Sequence, residues 1–182
     1  VQSNFPADYR ASETADLFMA VIMYRLKTNG RCGVVLPDGF LFGTDGAKRN
    51  LKEKLLNEFT LHTVLRLPKS VFAPYTSIAT NVLFFDKDQD GTKDVWFYRM
   101  DMPTGMKAFS KTKPISLEHF DPVRELGNNR SEMQDEDGNF KSKKYTKEEL
   151  AATNYDLDLC GYPHKVEEVL EPDVLINQYF EK

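Results

Sequence analysis

Within its first hundred residues the chain switches repeatedly between a helical hydrophobic period and short apolar runs, and that alternation constrains the fold more than any other feature. From Thr14 to Lys27 the apolar residues Leu17, Phe18, Val21, Ile22 and Leu26 recur at three- and four-residue steps, the face of one helix. Ser12 or Thr14 can cap its start, and Asn29-Gly30 offers a left-handed stop. The run Cys32-Gly33-Val34-Val35-Leu36, ended by Pro37-Asp38-Gly39, is apolar at successive positions and reads as a buried parallel strand. A second helix follows, with Leu51, Leu55, Leu56 and Phe59 inward and Lys48, Arg49, Lys52 and Lys54 mostly outward. His62 to Leu67, stopped by Pro68, and Thr80 to Phe85 read as two further strands.

Helices alternating with strands imply crossover connections, hence an α/β layer fold with a largely parallel sheet. The polar turn from Asp86 to Gly91 is too short for a crossover helix. Thr80–Phe85 and the strand Asp94–Met100 are therefore expected to close as an antiparallel hairpin at a sheet edge. Residues 103–145 are rich in Pro, Lys, Gly, Asn and acids, with apolar anchors only at Ile115, Phe120 and Leu126, and are expected to be irregular, with mobility around 127–142. Order is expected again at Thr146-Lys147-Glu148-Glu149, a capping box, and in a terminal apolar helix from Pro172 carrying Val174, Leu175, Ile176, Tyr179 and Phe180.

Composition excludes several classes. The 182 residues are 41% hydrophobic and 29% charged, which fits a globular domain rather than a disordered chain. No apolar run approaches the ~20 residues of a bilayer span. Two cysteines, Cys32 and Cys160, are too few for a disulfide framework or a zinc site and point to a reducing compartment. A net charge of -4 gives no support to a free-standing nucleic-acid binder.

The motifs for self-contained chemistry are missing. Asp86, Asp88, Asp90 and Gly91 match the first half of a calcium loop, but the twelfth position, where a bidentate Glu belongs, is Phe97. A solvated turn is the better reading. His62, His119 and His164 are scattered, and no P-loop, GxGxxG or Gly-x-Ser-x-Gly occurs.

The chain nevertheless resembles a known family. The segment from Asp16 to Phe42 (DLFMAVIMYRLKTNGRCGVVLPDGFLF) looks like the middle of adenine-specific DNA methyltransferases, and most like the modification (M) subunit of type I restriction–modification systems. The resemblance continues through LHTVLRLPKSVF, ATNVLFFDK and DVWFYRMDMP to NYDLDL and EPDVL, and covers nearly the whole chain. It implies a Rossmann-like sheet and methyl transfer from S-adenosylmethionine to the exocyclic amine of an adenine flipped from the duplex. It also implies a prokaryotic cytoplasmic setting and, as partners, DNA and the specificity and restriction subunits.

Two positions carry over from the resemblance. Phe18 matches a helix-borne aromatic that packs near the cofactor's adenine ring; the alternative is an ordinary core residue. Phe72, on the loop Val71-Phe72-Ala73-Pro74-Tyr75, matches the aromatic that contacts the flipped base; the alternative is a hydrophobic plug beneath the loop. The basic side chains Lys48, Arg49, Lys52, Lys54, Arg66, Lys69, Lys107, Lys111 and Lys113 are candidates to face phosphates, with Lys69 the best single one because it precedes the Phe72 loop. In type I enzymes a separate subunit reads the sequence, which accommodates a chain that is not strongly basic.

The family's glycine-rich motif and its Asn-Pro-Pro-aromatic motif are absent, so no catalytic residue and no metal ligand is assigned here, and tight binding of S-adenosylmethionine is not expected of this chain alone. The start at Val1 is accordingly read as that of a C-terminal piece of an M subunit. Residues 1–102 would be the C-terminal part of the catalytic domain and 103–182 an extension whose last helix leads toward the specificity subunit. A Cys32–Leu36 strand without its upstream neighbour would leave an open edge and invite self-association. The alternatives are an assembly module that docks the specificity subunit without chemistry, and an unrelated α/β nucleotide-binding protein.

Overall fold

The structure, a computed structural model, describes residues 2–44, 46–88 and 90–162. Its strands are β1 (Arg31–Pro37), β2 (Thr60–Arg66), β3 (Thr80–Asp86), β4 (Asp94–Arg99), β5 (Met133–Gln134) and β6 (Phe140–Thr146). Its α-helices are α1 (Thr14–Arg25), α2 (Asp38–Phe42), α3 (Gly46–Glu58), α4 (Asp121–Asn128) and α5 (Lys147–Ala152). The six strands form one open sheet in the order β1-β3-β2-β4-β6-β5. The α/β class read from the alternation holds.

The pairing differs from the expectation of a largely parallel sheet. Only β2 and β4 run parallel; β1–β3, β2–β3, β4–β6 and β5–β6 are antiparallel. The loop from β2 to β3 contains no crossover helix, so β3 can only return antiparallel, and it does so between β1 and β2. The run Cys32–Leu36 is thus an antiparallel strand at the sheet edge rather than a buried parallel one, and Val35 is 48% exposed. The edge position agrees with the open edge expected of this strand.

The expected hairpin between the third and fourth strands is also corrected, because β2 lies between them. The short connection passes across the start of β2 and is tied down there. The Thr60 hydroxyl bonds the Asp88 carboxylate and the Gly91 carbonyl, the latter at 3.1 Å. The Thr92 hydroxyl donates to the Phe59 carbonyl at 2.8 Å and accepts from the Leu61 N–H at 2.9 Å. Asp88, one of the calcium-pattern acids, is thereby engaged in a strand crossing.

Two apolar layers flank the sheet. One holds Met19 and Met23 of α1, Leu51, Leu55 and Leu56 of α3, Phe59, and the strand residues Leu61, Val64, Leu83, Phe85, Val95 and Phe97. A register shift between Leu61 and Thr63 lets Leu61 and Val64, an odd number of residues apart, face this same layer. Phe59 and Phe85 meet edge to face at 5.6 Å. On the other side Leu65, Leu67, Tyr98 and Met100 pack under Leu126, with Val71, Ile115, Phe120 and Met133 around them. Each leucine taken wholly out of water contributes about 1.5–3 kcal/mol.

Two helical faces differ from the sequence reading. On α1 the buried residues are Asp16, Leu17, Met19 and Met23, whereas Phe18 and Val21 are exposed. This helix is apolar on both flanks, so its period alone does not choose the inward side. On α3 the leucines turn inward as expected, but Lys52 is fully buried instead of outward, its ammonium donating to the Leu41 carbonyl at 2.7 Å.

The stretch expected as irregular contains α4, β5 and β6, and β6 extends the sheet by pairing with β4. Alternating Phe140, Ser142 and Lys144 against a ready strand edge is sufficient for a strand in a composition that reads as loop. Thr146 caps α5 through the reciprocal bonds of the expected capping box with Glu149. The terminal helix expected from Pro172 lies outside the described residues.

Candidate nucleic-acid interface

The parallel strands β2 and β4 and the edge strand β1 all end at one rim of the sheet, and several buried polar side chains, Arg66, Thr80, Asn81 and Arg99, are held there. β1 ends in the turn Pro37-Asp38, β2 in Arg66, β4 in Arg99, and β3 begins at the same rim with Thr80-Asn81. Asn81, fully buried, donates to Asp38 Oδ1 at 2.6 Å. Arg66 donates to Asp38 Oδ2 at 3.3 Å and, with its other amino group, to Asp158. Arg99 donates to Asp101 at 2.8 Å, to Asp135 at 2.8 Å and to the Gly161 carbonyl at 3.1 Å.

A strap from residue 153 to residue 162 crosses this rim. It carries NYDLDL, and its first turn has Asn154 and Tyr155 in the left-handed region, where asparagine is tolerated and tyrosine is held by its contacts. Tyr155 Oη bonds Glu53 at 3.1 Å, and Leu157 N–H donates to the Leu41 carbonyl at 3.1 Å. Asp158 takes Arg66, Gly161 takes Arg99, and Tyr162 Oη donates to the Met100 carbonyl at 2.5 Å. Burial pushes the Tyr162 hydroxyl up and the Cys160 thiol up to about 11, so neither ionises near neutrality.

The loop bearing Phe72 leaves the rim between β2 and β3. Its base is closed by two backbone bonds, Leu67 N–H to Thr80 O at 3.0 Å and Asp38 N–H to Ala79 O at 3.1 Å. Leu67, Pro68 and Ala79 are buried there. Ser70 adopts a left-handed φ of 75°. Its hydroxyl accepts the Phe109 N–H at 3.0 Å, which ties the loop to the segment after β4. Tight turns follow: Ala73 N–H to Ser70 O at 2.9 Å, then Tyr75 and Thr76 N–H to Phe72 O at 2.9 and 3.2 Å. This fold-back leaves Phe72 39% exposed and Tyr75 88% exposed on one turn, with Lys69 exposed just before it.

The site residues named from the sequence are distributed as follows. Phe18 sits in the second turn of α1 with 62% of its surface exposed among the described residues. The start of α1 lies by the rim, since Glu13 stands 3.6 Å from where a side chain at Gly39 would begin. No aromatic pair joins Phe18 to Phe72 among the described residues.

Several basic candidates are engaged internally. Lys48 bonds Glu13 and the buried Asp16, both at 2.8 Å. Arg49 pairs with Glu53, Lys54 with Glu58, Lys52 is buried, and Arg66 is latched between two aspartates. Lys69, Lys107, Lys111 and Lys113 are exposed, and none of these four has a carboxylate within ion-pair distance among the described residues.

Tyr75 and the Ser70–Phe109 link are the features that sequence reasoning missed. Tyr75 had one available signal, its place three residues after Phe72 in a loop with Pro74. The link had none, because its partners stand 39 residues apart.

Comparison with known proteins gives this arrangement its family. The sequence model described as N-6 DNA Methylase matches residues 3–170. The chain is 43% identical over 181 residues to the type I restriction enzyme EcoEI methylase subunit of Escherichia coli, covering 98% of this chain and 36% of that subunit. Among solved structures it is similar to a modification subunit of a putative type I restriction enzyme from Vibrio vulnificus, with TM-score 0.75 and 39% identity over 88% of this chain and 34% of that one. It is also similar to the EcoKI M protein, with TM-score 0.61 and 28% identity over 90% of this chain and 40% of that one. The chain thus spans about a third of the length of the curated EcoEI relative it matches. Matched from residue 3 to residue 170, the chain belongs to the N-6 DNA methylase family.

Proposed function

We propose that this chain forms part of the modification subunit of a type I restriction–modification enzyme that transfers a methyl group from S-adenosylmethionine to the exocyclic amine of a flipped adenine in DNA. In this reading Phe72 lies against the flipped base, Phe18 lies beside the cofactor's adenine ring, and the specificity and restriction subunits complete the assembly. The observation that carries it is the turn Phe72–Thr76, which holds an aromatic ring half-open at the rim where the strands end, on a loop closed at its base and tied at Ser70. A base removed from the stack needs a flat apolar surface to replace its neighbours, and a ring held by backbone bonds supplies one without first having to be ordered.

S-adenosylmethionine, when bound, supplies a methyl group made electrophilic by its sulfonium. Of the described residues Phe18 fits it, since its ring is exposed on α1 and can cover one face of an adenine.

The test uses the full-length subunit assembled with its specificity partner, with methyl transfer to adenine as the readout. Phe72→Ala is expected to lower kcat/KM for DNA by about five- to 150-fold, from the ~1–3 kcal/mol of a base–aromatic stack, while the melting temperature stays within a degree or two. Methylation and stability falling together would return Phe72 to a packing role. A wild-type assembly that transfers nothing to adenine would overturn the function itself.

A further inference from the structure

The loop of Phe72 does not stand alone at its rim. Phe109, whose N–H bonds Ser70, is buried with its ring edge-on to His119 at 5.3 Å, and Ile115 packs in the same apolar layer as Val71. Between these two anchors the chain makes a tight turn. Ser110 N–H donates to Lys113 O at 3.0 Å, Lys113 N–H donates to Ser110 O at 3.1 Å, and Pro114 follows. The anchors face inward, so the intervening side chains face out, and Lys107, Lys111 and Lys113 are all exposed. Lys69, adjacent to Ser70, brings a fourth ammonium to the same corner.

Four ammonium groups are gathered on one corner of a chain with net charge -4, and among the described residues none of them has a carboxylate within ion-pair distance. The acids closest in sequence do not neutralise them. Asp121 is taken by Arg124 at 3.0 Å, and no bond joins Glu118 to a lysine among the described residues. Like charges held together without counter-charge raise the free energy of the corner, and a polyanion laid across it lowers that energy by displacing its own counterions.

We propose that Lys69, Lys107, Lys111 and Lys113 form a phosphate-contacting surface for the DNA strand that flanks the target base, with the Ser110–Lys113 turn as a clamp fixed to the base loop through the Ser70–Phe109 bond. This rests on the reading of Phe72 given above and adds the surface that holds the duplex while the base is out. These contacts position the backbone and carry no sequence information, so they are compatible with sequence reading elsewhere in an assembly.

The experiment is a salt titration of binding, by fluorescence anisotropy, of the full-length subunit with its specificity partner to a duplex bearing its methylation site. The triple variant Lys107→Gln, Lys111→Gln, Lys113→Gln is compared with wild type and with the double variant Lys27→Gln, Lys93→Gln, whose lysines lie at the opposite rim. The slope of log affinity against log salt is expected to fall by about 2 to 3 in the triple variant, at ~0.9 per phosphate contact, with KM for DNA raised and kcat unchanged. The opposite-rim variant is expected to keep the wild-type slope.

An unchanged slope in the triple variant, or an equal fall in the control, would overturn the clamp. If wild type methylates adenine and the slope does not change, the clamp alone fails. If the slope falls while wild type transfers no methyl group, the clamp stands and the reading of Phe72 fails.

Discussion

Arg66 and Arg99 are paired residues in the parallel register of β2 and β4, and each reaches from the end of its strand to the strap at residues 153–162. Two guanidinium groups side by side repel, and the fold offsets this by giving them separate partners. Arg66 takes Asp38 and Asp158, and Arg99 takes Asp101 and Asp135. The strap is thus bolted to the sheet at two neighbouring points, at the rim from which the loop that carries Phe72 leaves.

Arg66→Ala is expected to lower stability by about 2 kcal/mol, because it removes charge-assisted bonds and, among the described residues, leaves Asp38 with only Asn81 to donate to its carboxylate. Arg66→Lys recovers little of this, since one ammonium cannot fork to two carboxylates on different elements. Urea midpoints of both variants check the expectation. In an Asp158→Asn background the effect of Arg66→Ala should shrink, the sign of a shared interaction.

Lys52 gives a pH dependence of definite sign. Burial is the main cause that holds its ammonium down at about 8; Lys48 pushes the same way, while Asp156, Asp16 and Asp158 oppose. The unfolded value is ~10.4. Below pH 8 both states keep the proton and folding carries the whole penalty of burying the charge. From about 8 to ~10.4 the folded state releases the proton first, so the stability contributed by this group rises, by an amount on the order of 3 kcal/mol across the window. Lys52→Met is expected to be more stable than wild type by about 1–2 kcal/mol at pH 7 and to lose that rise, because the Leu41 carbonyl keeps its bond from Leu157. Urea melts at pH 7, 8, 9 and 10 decide it; parallel curves for the two proteins would refute the assignment.

Thr92 offers a test with nearly constant shape. Thr92→Val fills the same space but leaves the Leu61 N–H and the Phe59 carbonyl, both buried, without the hydroxyl that joins them. The expected loss is about 2–4 kcal/mol, whereas Thr92→Ser keeps both bonds and is expected to cost less than half as much. Thermal unfolding of the two variants separates a hydrogen-bonding role from simple filling of space.

The elements themselves were legible in the sequence and their pairing was not, for a reason Thr92 makes concrete. Hydrophobic period is a local property, so α1, α3 and the first four strands stand where the period places them. Whether β4 folds back on β3 or steps past β2 depends on Thr60, Asp88, Gly91 and Thr92 meeting around the start of β2. Nothing within a window of ten residues records that meeting. Lys52 misled in the same way, because a lysine among leucines reads as the outward face, and the acids that accompany it come from α1 and from the strap about a hundred residues on. At the rim, Phe72 was named from the resemblance and from its place after a strand, and Lys69 because it precedes that loop. Phe18 was named from the resemblance too, and its exposure follows from an apolar helix whose second flank is bare among the described residues.

The position of β3 has a consequence for how the molecule comes into being. Among the described residues β1 is bonded to β3 alone, although β2 precedes β3 in the chain. A polypeptide emerging from the ribosome N-terminal end first therefore completes β1 some fifty residues before that strand's partner exists. Until Asp86 is out, β1 lacks its β3 partner and α1 and α3 have only a partial floor to rest on. A chain cut anywhere between Pro37 and Thr80 would leave β1 without its β3 partner, so the part of the sheet formed by the described residues closes only where β3 does.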